Sequence, residues 1–299
     1  MKATITGFFD RAQDLERTIE IVKENKLTHI ALRRFKGRSL IEMSDAEIKE
    51  LQAKLRSERI DISIIDTAIK PYDVTSKSRH AEALDAFKYM IKLSTKLKVD
   101  YLFLELPQFH DVIEAYPDIE RCLIPFVEQA LINRKRIVIN PTPTYNTNVY
   151  AYILKKMKTD ALMVAYDPVL ILQNGESTTT SYRLLKKYIA VFIAKDAHQD
   201  GTPELLGYGQ TDMLNIFKRF IRDRYQGFVF ADHDFTENFL VYQPHKVSFF
   251  KRVLGHEKKR IETNLQTLQK RLFPEDPQHP VTLDDILDNQ IKVLRVVFK

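Results

Sequence analysis

Short β-branched and aromatic runs alternate along this chain, about eight times, with longer segments whose apolar residues recur at helical spacing. The candidate strands are Ala3 to Phe9, His29 to Arg33, Ile62 to Asp66, Tyr101 to Leu106, Arg136 to Asn140, Leu162 to Tyr166, Ala190 to Ala194 and Gly227 to Ala231. Nearly continuous apolar strands that alternate with helices are what a parallel sheet buried on both faces requires. Eight such units over about 240 residues match a (β/α)8 barrel, whose usual size is roughly 250 residues. The competing doubly wound sheet is disfavoured because the first strand leads into Gly7-Phe-Phe-Asp10 rather than a glycine-rich phosphate turn, and no P-loop occurs.

Helix starts are written locally. Ser44 and Glu47 have the spacing of a capping box ahead of Ile48, Leu51 and Leu55, which share one face. Asp14 precedes Leu15, Ile19 and Val22 in the same manner. Further helices are expected around Leu84, Phe87 and Ile91, around Leu123, Val127, Ala130 and Leu131, around Leu184 and Leu185 behind a Ser or Thr cap, and around Met213, Ile216, Phe217 and Phe220. Pro125 fits only a first turn or a kink.

Beyond residue 245 the pattern changes. Leu254, Ile261, Leu265, Leu268 and Leu272 form one apolar stripe, Pro274, Pro277 and Pro280 interrupt it, and Thr282 with Asp285 caps a last helix carrying Ile286, Ile291 and Leu294. Residues 1–245 are therefore read as the barrel and 246–299 as a C-terminal helical extension. That extension packs either on its own barrel wall or on a second copy, as a homodimer through the C-terminal helices.

Composition narrows the function classes. The net charge of +6 comes from 46 basic and 40 acidic residues that are interspersed, which favours anionic ligands without marking a nucleic-acid stripe. One cysteine permits no internal disulfide. No apolar run approaches the roughly 20 residues needed to cross a bilayer, and no signal-peptide pattern opens the chain, so a cytoplasmic location without membrane contact is expected.

In a barrel the polar residues at strand C-termini converge on one mouth. They are Arg33 and Arg34 after the second strand, Asp66 and Lys70 after the third, Glu105 after the fourth and Asn140 after the fifth. Asp167 follows the sixth, Lys195, Asp196 and His198 the seventh, and Asp232, His233 and Asp234 the eighth. Asp167, Asp196, Asp232 and His233 are donors suited to Mg, Mn or Zn, which would polarise a carbonyl while neighbouring acids move a proton. Alternatively these acids pair with Lys195, Arg33 and Arg34 in a salt-bridge network. Only one of Arg33 and Arg34 can face the interior, because adjacent strand residues point to opposite faces. That arginine, with Lys70 and Lys195, would hold an anionic or hydroxylated substrate. The Asn140 to Asn148 loop offers hydrogen-bonding groups or is a plain connector, and His110 reads as a solvated surface residue.

Lys195-Asp196-Ala197, then Leu206-Gly-Tyr-Gly209, Asp212 and Gly227, resemble the ending of the xylose-isomerase-like barrels, and Asp167-Pro168 resembles the acid that ends their sixth strand. That family includes sugar-phosphate isomerases and epimerases and the endonuclease IV type of nuclease. The resemblance covers roughly residues 1 to 240. It implies a metal held by a glutamate ending strand five, the strand-six aspartate, a histidine before the lysine-aspartate pair and a glutamate ending strand eight, where this chain has Asn140, Asp167, Ile193 and Asp232. A histidine often found after the sixth-strand aspartate is Leu170 here.

The resemblance implies a sugar or sugar-phosphate isomerase or epimerase. Asp167 and Asp232 would be the metal ligands; Asp196, Asp232 and His233 would act in catalysis; Arg33, Arg34, Lys70, Glu105, Asn140 and Lys195 would bind a carbohydrate-like substrate. The divalent metal is either present or lost. The alternative is a non-catalytic barrel that binds a sugar-like or anionic metabolite, and a nucleic-acid partner is disfavoured by the few histidines at the mouth.

Overall fold

The computed structural model describes residues 3–9, 15–240, 264–276 and 278–298. The parallel strands are β1 (Thr4–Thr6), β2 (His29–Leu32), β3 (Asp61–Asp66), β4 (Tyr101–Leu104), β5 (Arg136–Ile139), β6 (Leu162–Tyr166), β7 (Ile189–Ile193) and β8 (Phe228–Phe230). They form one 8-stranded sheet in the order β1-β8-β7-β6-β5-β4-β3-β2. The sheet comes close to closing on itself, since the Ala31 N–H donates to the Gly7 carbonyl at 2.8 Å and so links β2 to the end of β1. This is a (β/α)8 barrel, with each expected strand present within a few residues of its expected limits.

Period-two alternation divides most of the strands between two cores. Ala31, Ile64, Phe103, Val138, Ala165, Val191 and Phe230 fill the barrel interior. Their neighbours Ile30, Ile65, Leu102, Leu104, Ile137, Ile139, Tyr166, Phe192 and Val229 face outward into the core under the helices. Both sides of the strands are apolar, which is why the strands read as continuous hydrophobic runs. In the outer core Phe192 stacks on Phe220 with ring centroids 4.5 Å apart; burying each such ring contributes about 1.5–3 kcal/mol.

The surrounding helices begin where local chemistry allows. Ser44 and Glu47 form the expected capping box of α2 (Asp45–Ser57); α1 (Leu15–Glu24) buries Ile19 and Val22, while its proposed cap Asp14 lies outside the described residues. Helices α3 (Lys77–Lys96) and α4 (Tyr116–Ile132) follow β3 and β4. Pro117 occupies the first turn of α4, so Pro125 stands inside the helix.

The polar segment after β5 leads into a helix, α5 (Thr147–Met157), that has no cap of its own. Glu176 supplies one from elsewhere, its carboxylate accepting the Thr147 N–H at 3.0 Å and the Thr147 hydroxyl at 3.0 Å. Then come α6 (Pro168–Gln173), α7 (Thr178–Leu185), capped by Ser177, and α8 (Met213–Arg222). A short helix, α9 (Glu237–Leu240), follows β8.

The C-terminal residues serve the barrel. In α10 (Asn264–Leu272) Leu268 is buried with Leu205, Phe235, Val281 and Ile286 in a small core of its own. The Arg271 guanidinium pairs with Glu204 and lies 4.3 Å from the centre of the Tyr208 ring. The last helix, α11 (Leu283–Val297), starts at the expected Thr282–Asp285 capping box. Its Leu287, Ile291, Leu294 and the following Phe298 join the main core, and the helix contacts β1. The apolar face of α11 is therefore spent on its own barrel wall. The expected Leu254, Ile261 and Pro277 lie outside the described residues.

Candidate functional site

The C-terminal ends of the strands surround a cavity of about 550 Å³. Its floor is apolar, with Phe8, Phe103, Ile193 and Phe230. Arg33, Asn140, Asp167, Lys195, Asp232 and His233 supply polar groups around it, all expected from their positions at strand ends.

Asp167 is 4% exposed and caps α6: its Oδ1 accepts the Val169 N–H at 2.9 Å and the Leu170 N–H at 3.2 Å. Its Oδ2 faces the Lys195 ammonium at 3.4 Å. Lys195 also lies 3.1 Å from Asp234 Oδ2. Burial alone would lower the pKa of this lysine, but Asp167, Asp234 and Asp232 outweigh burial and hold it above the ordinary lysine range. The group is a fixed cation at neutral pH.

His233 is buried, and its Nδ1 accepts the Phe235 N–H at 3.2 Å, which places a ring proton on Nε2. The Asp232 carboxylate lies beside Gly7, where an added Cβ would come within 3.2 Å of Oδ1. Arg33 is the inward arginine, its guanidinium 4.5 Å over the Phe8 ring. Arg34 instead opens a small hairpin in which Arg34–Phe35 pairs with Arg38–Ser39; its side chain is exposed and does not line the mouth.

Asp196 and Lys70 are placed elsewhere than their strand-end positions imply. Asp196 does not face the mouth. Its carboxylate is 4% exposed and accepts five donors: the backbone N–H groups of Ala197, Thr211, Gly207 and Gly209, and the Thr211 hydroxyl at 2.7 Å. With its oxygens committed to the loop between β7 and α8, it has no lone pair aimed at a substrate. Lys70 lines a separate groove with Thr67, Ala68 and Pro71, whereas Glu105 follows β4 between the outward-facing Leu104 and Leu106 and so shares the inward side of Phe103. Partial burial and the nearby Asp66 push the Glu105 carboxyl up, against an opposing effect of Lys70.

Some lining residues carried no local signal. Arg17 on α1 and Leu283, Asp284 and Leu287 on α11 form one side of the cavity, with Arg17 donating to Asp284 Oδ2 at 2.7 Å. These partners lie 267 residues apart in the chain, so no spacing rule pairs them.

Among the described residues the donor set at the mouth does not suit a divalent metal. Among the described residues no three His, Cys, Asp or Glu side chains gather where they could hold one. Asn140 and Ile193 stand at two of the positions where the resemblance implies ligands, Asp167 Oδ1 is used as a helix cap, and an ammonium faces Asp167 Oδ2 where a dication would have to sit.

The fold recurs among solved structures at low identity. The probable 3-DHS dehydratase AsbF of Bacillus anthracis, involved in petrobactin synthesis, superposes with a TM-score of 0.66 at 13% identity, covering 99% of each chain. The IOLI protein, solved with a bound zinc atom, gives 0.66 at 16% identity over 77% of this chain and 88% of that one. A D-tagatose 3-epimerase-like protein gives 0.63 at 14% identity over 77% and 90%. No curated protein sequence matches significantly. Residues 17–247, from α1 past the last strand and most of the mouth, match the family profile described as xylose isomerase-like TIM barrel, and the chain belongs to that family.

Proposed function

We propose that this chain is a sugar isomerase- or epimerase-like protein that takes a small carbohydrate-like substrate into the barrel mouth and works with an internal ammonium in place of a divalent metal. The observation that carries this reading is the placement of Lys195 between Asp167 and Asp234 above an aromatic floor. Carboxylate, amide and guanidinium groups suit the many hydroxyls of a sugar, while Phe8, Phe103 and Phe230 suit the apolar face of its ring or chain.

In the reaction proposed, the Lys195 ammonium donates a hydrogen bond to the carbonyl oxygen of an open-chain sugar. The Asp232 carboxylate removes the proton from the adjacent carbon, and the electron pair of that C–H bond moves into an enolate stabilised by Lys195. Return of a solvent proton to the opposite face of the same carbon gives an epimer; return of the proton from Asp232 to the former carbonyl carbon, while the hydroxyl on the deprotonated carbon gives its proton to solvent and becomes the new carbonyl, gives the isomer. His233, with its proton on Nε2, is the donor proposed for the oxygen.

The test combines thermal shift over a panel of aldoses, ketoses, sugar acids and sugar phosphates with proton NMR of the same mixtures in D2O. The expected result is stabilisation by at least one member, solvent deuterium at the carbon next to its carbonyl, and loss of both in Lys195→Met, with chelator-treated protein unchanged. Binding without exchange would establish the non-catalytic alternative. No binding, or binding that chelation removes and Zn or Mg restores, would overturn the proposal.

A further inference from the structure

A second large cavity opens at the opposite end of the barrel. It measures about 910 Å³ and shares no lining residue with the mouth. His29, Asp61, Ile62, Ser63, Tyr101 and Phe228 line it, which are the first residues of β2, β3, β4 and β8, so it lies at the strand N-termini. A strand such as β3 spans roughly 20 Å at the usual rise per residue, which separates the two cavities by about the depth of the barrel. The N-terminal face of such barrels ordinarily serves stability.

The charge on this rim is one-sided. Lys49 and Arg56 from α2, with Arg59 and Lys98 from the turns before β3 and β4, all line the cavity, and none makes an ion pair among the described residues. That contrasts with their surroundings, where Lys54 pairs with Glu16 at 2.8 Å, Lys23 with Glu58 at 2.7 Å and Lys96 with Asp45 at 2.6 Å. Of the two acids in the cavity, Asp100 is already held by Lys135 at 3.1 Å. Arg56, Arg59 and Lys98, with Lys49 shared with Asp45, outnumber the one cavity carboxylate that makes no ion pair among the described residues, Asp61, and leave an excess of positive charge. The floor between them is aromatic, with Tyr101 and Phe228 edge to face at 5.2 Å.

We propose that this cavity binds a phosphate-rich small molecule at a site separate from the mouth. A single carboxylate would leave most of the rim unbalanced, whereas a diphosphate supplies several charges and oxygens that match two guanidinium forks and two ammonium groups. The aromatic floor is the place for a ring attached to those phosphates, as in a nucleoside diphosphate.

Calorimetric titration of the full chain with inorganic pyrophosphate and, separately, with ADP at low salt tests this. Arg56→Gln with Arg59→Asn is the principal variant; asparagine suits position 59, whose φ is 58°. Lys98→Asn is the second variant, since Lys98 also has φ 58°, and Arg33→Gln in the mouth is the control. The expected result is binding that weakens as salt rises, falls about tenfold or more in the double variant, falls in Lys98→Asn and is unchanged in Arg33→Gln. ADP binding more tightly than pyrophosphate would place the ring on the aromatic floor; equal affinities would assign recognition to phosphate alone. Absence of binding by both probes, or binding untouched by the rim variants with their fold intact by circular dichroism, would overturn the inference.

Discussion

The Lys195 ammonium lies 3.4 Å from Asp167 Oδ2, so a largely buried cation from the end of β7 meets a buried carboxylate at the end of β6. Removing one partner of such a pair leaves an uncompensated charge, and Lys195→Met should cost about 2–4 kcal/mol. Adding Asp167→Asn should recover part of that loss. Urea unfolding of the two variants and the wild type checks this, and a double variant no more stable than Lys195→Met would refute it.

The same pair sets an alkaline dependence. Because the folded-state pKa of Lys195 is raised above the ordinary 10.5, its contribution is fully present below that value and is lost as pH rises beyond it. Wild-type stability relative to Lys195→Met should be flat through the neutral range and shrink only in strongly alkaline solution. A relative change near neutrality would contradict the assignment.

Asp196 is expected to act on stability rather than directly on chemistry. An asparagine there would turn an amide N–H2 toward backbone donors, and Asp196→Asn should cost about 2–4 kcal/mol through buried groups left unmatched. Gly209→Ala should be at least as damaging, because its Cβ would collide with Asp196 Oδ1. Thermal denaturation measures both; wild-type melting in either would show that the loop does not depend on this contact.

Glu105 gives the opposite sign from a salt-bridged acid. Its folded pKa is raised, chiefly by burial, so ionising it disfavours the folded state and stability falls as pH rises through and above the usual glutamate range. Glu105→Gln should be more stable than wild type at pH 7, with the advantage vanishing in acid. Unfolding midpoints at the two pH values decide the matter.

Gln290 on α11 is fully buried, and neither its amide oxygen nor its nitrogen has a hydrogen-bond partner among the described residues. Gln290→Leu keeps similar volume and removes two unmatched polar atoms, so it should stabilise by about 1–3 kcal/mol. A destabilised Gln290→Leu protein would point to an internal water held by that amide.

Much of the barrel was legible because its signals are local. The runs Leu102–Phe103–Leu104 and Ile137–Val138–Ile139 read as buried strands since both faces meet apolar neighbours, and the Ser44–Glu47 and Thr282–Asp285 boxes mark helix starts within four residues. The start of α5 was not legible, because its cap is Glu176, from a distant turn. Strand-end position likewise identified Asp167, Lys195, Asp232 and His233 as mouth residues.

The same rule could not tell Asp196 from Lys195. They are adjacent, and which one turns inward depends on the loop that brings Gly207, Gly209 and Thr211 onto the Asp196 carboxylate. The sequence by itself determined the repeating strands and helices, hence the barrel and the end of it where polar groups collect, because periodicity and capping act between near neighbours. Only the tertiary structure decided which acids face that cavity, that Lys195 holds the cation position beside Asp167, and that Arg17 meets Asp284 at its edge, because those contacts join residues that the chain brings together only by folding.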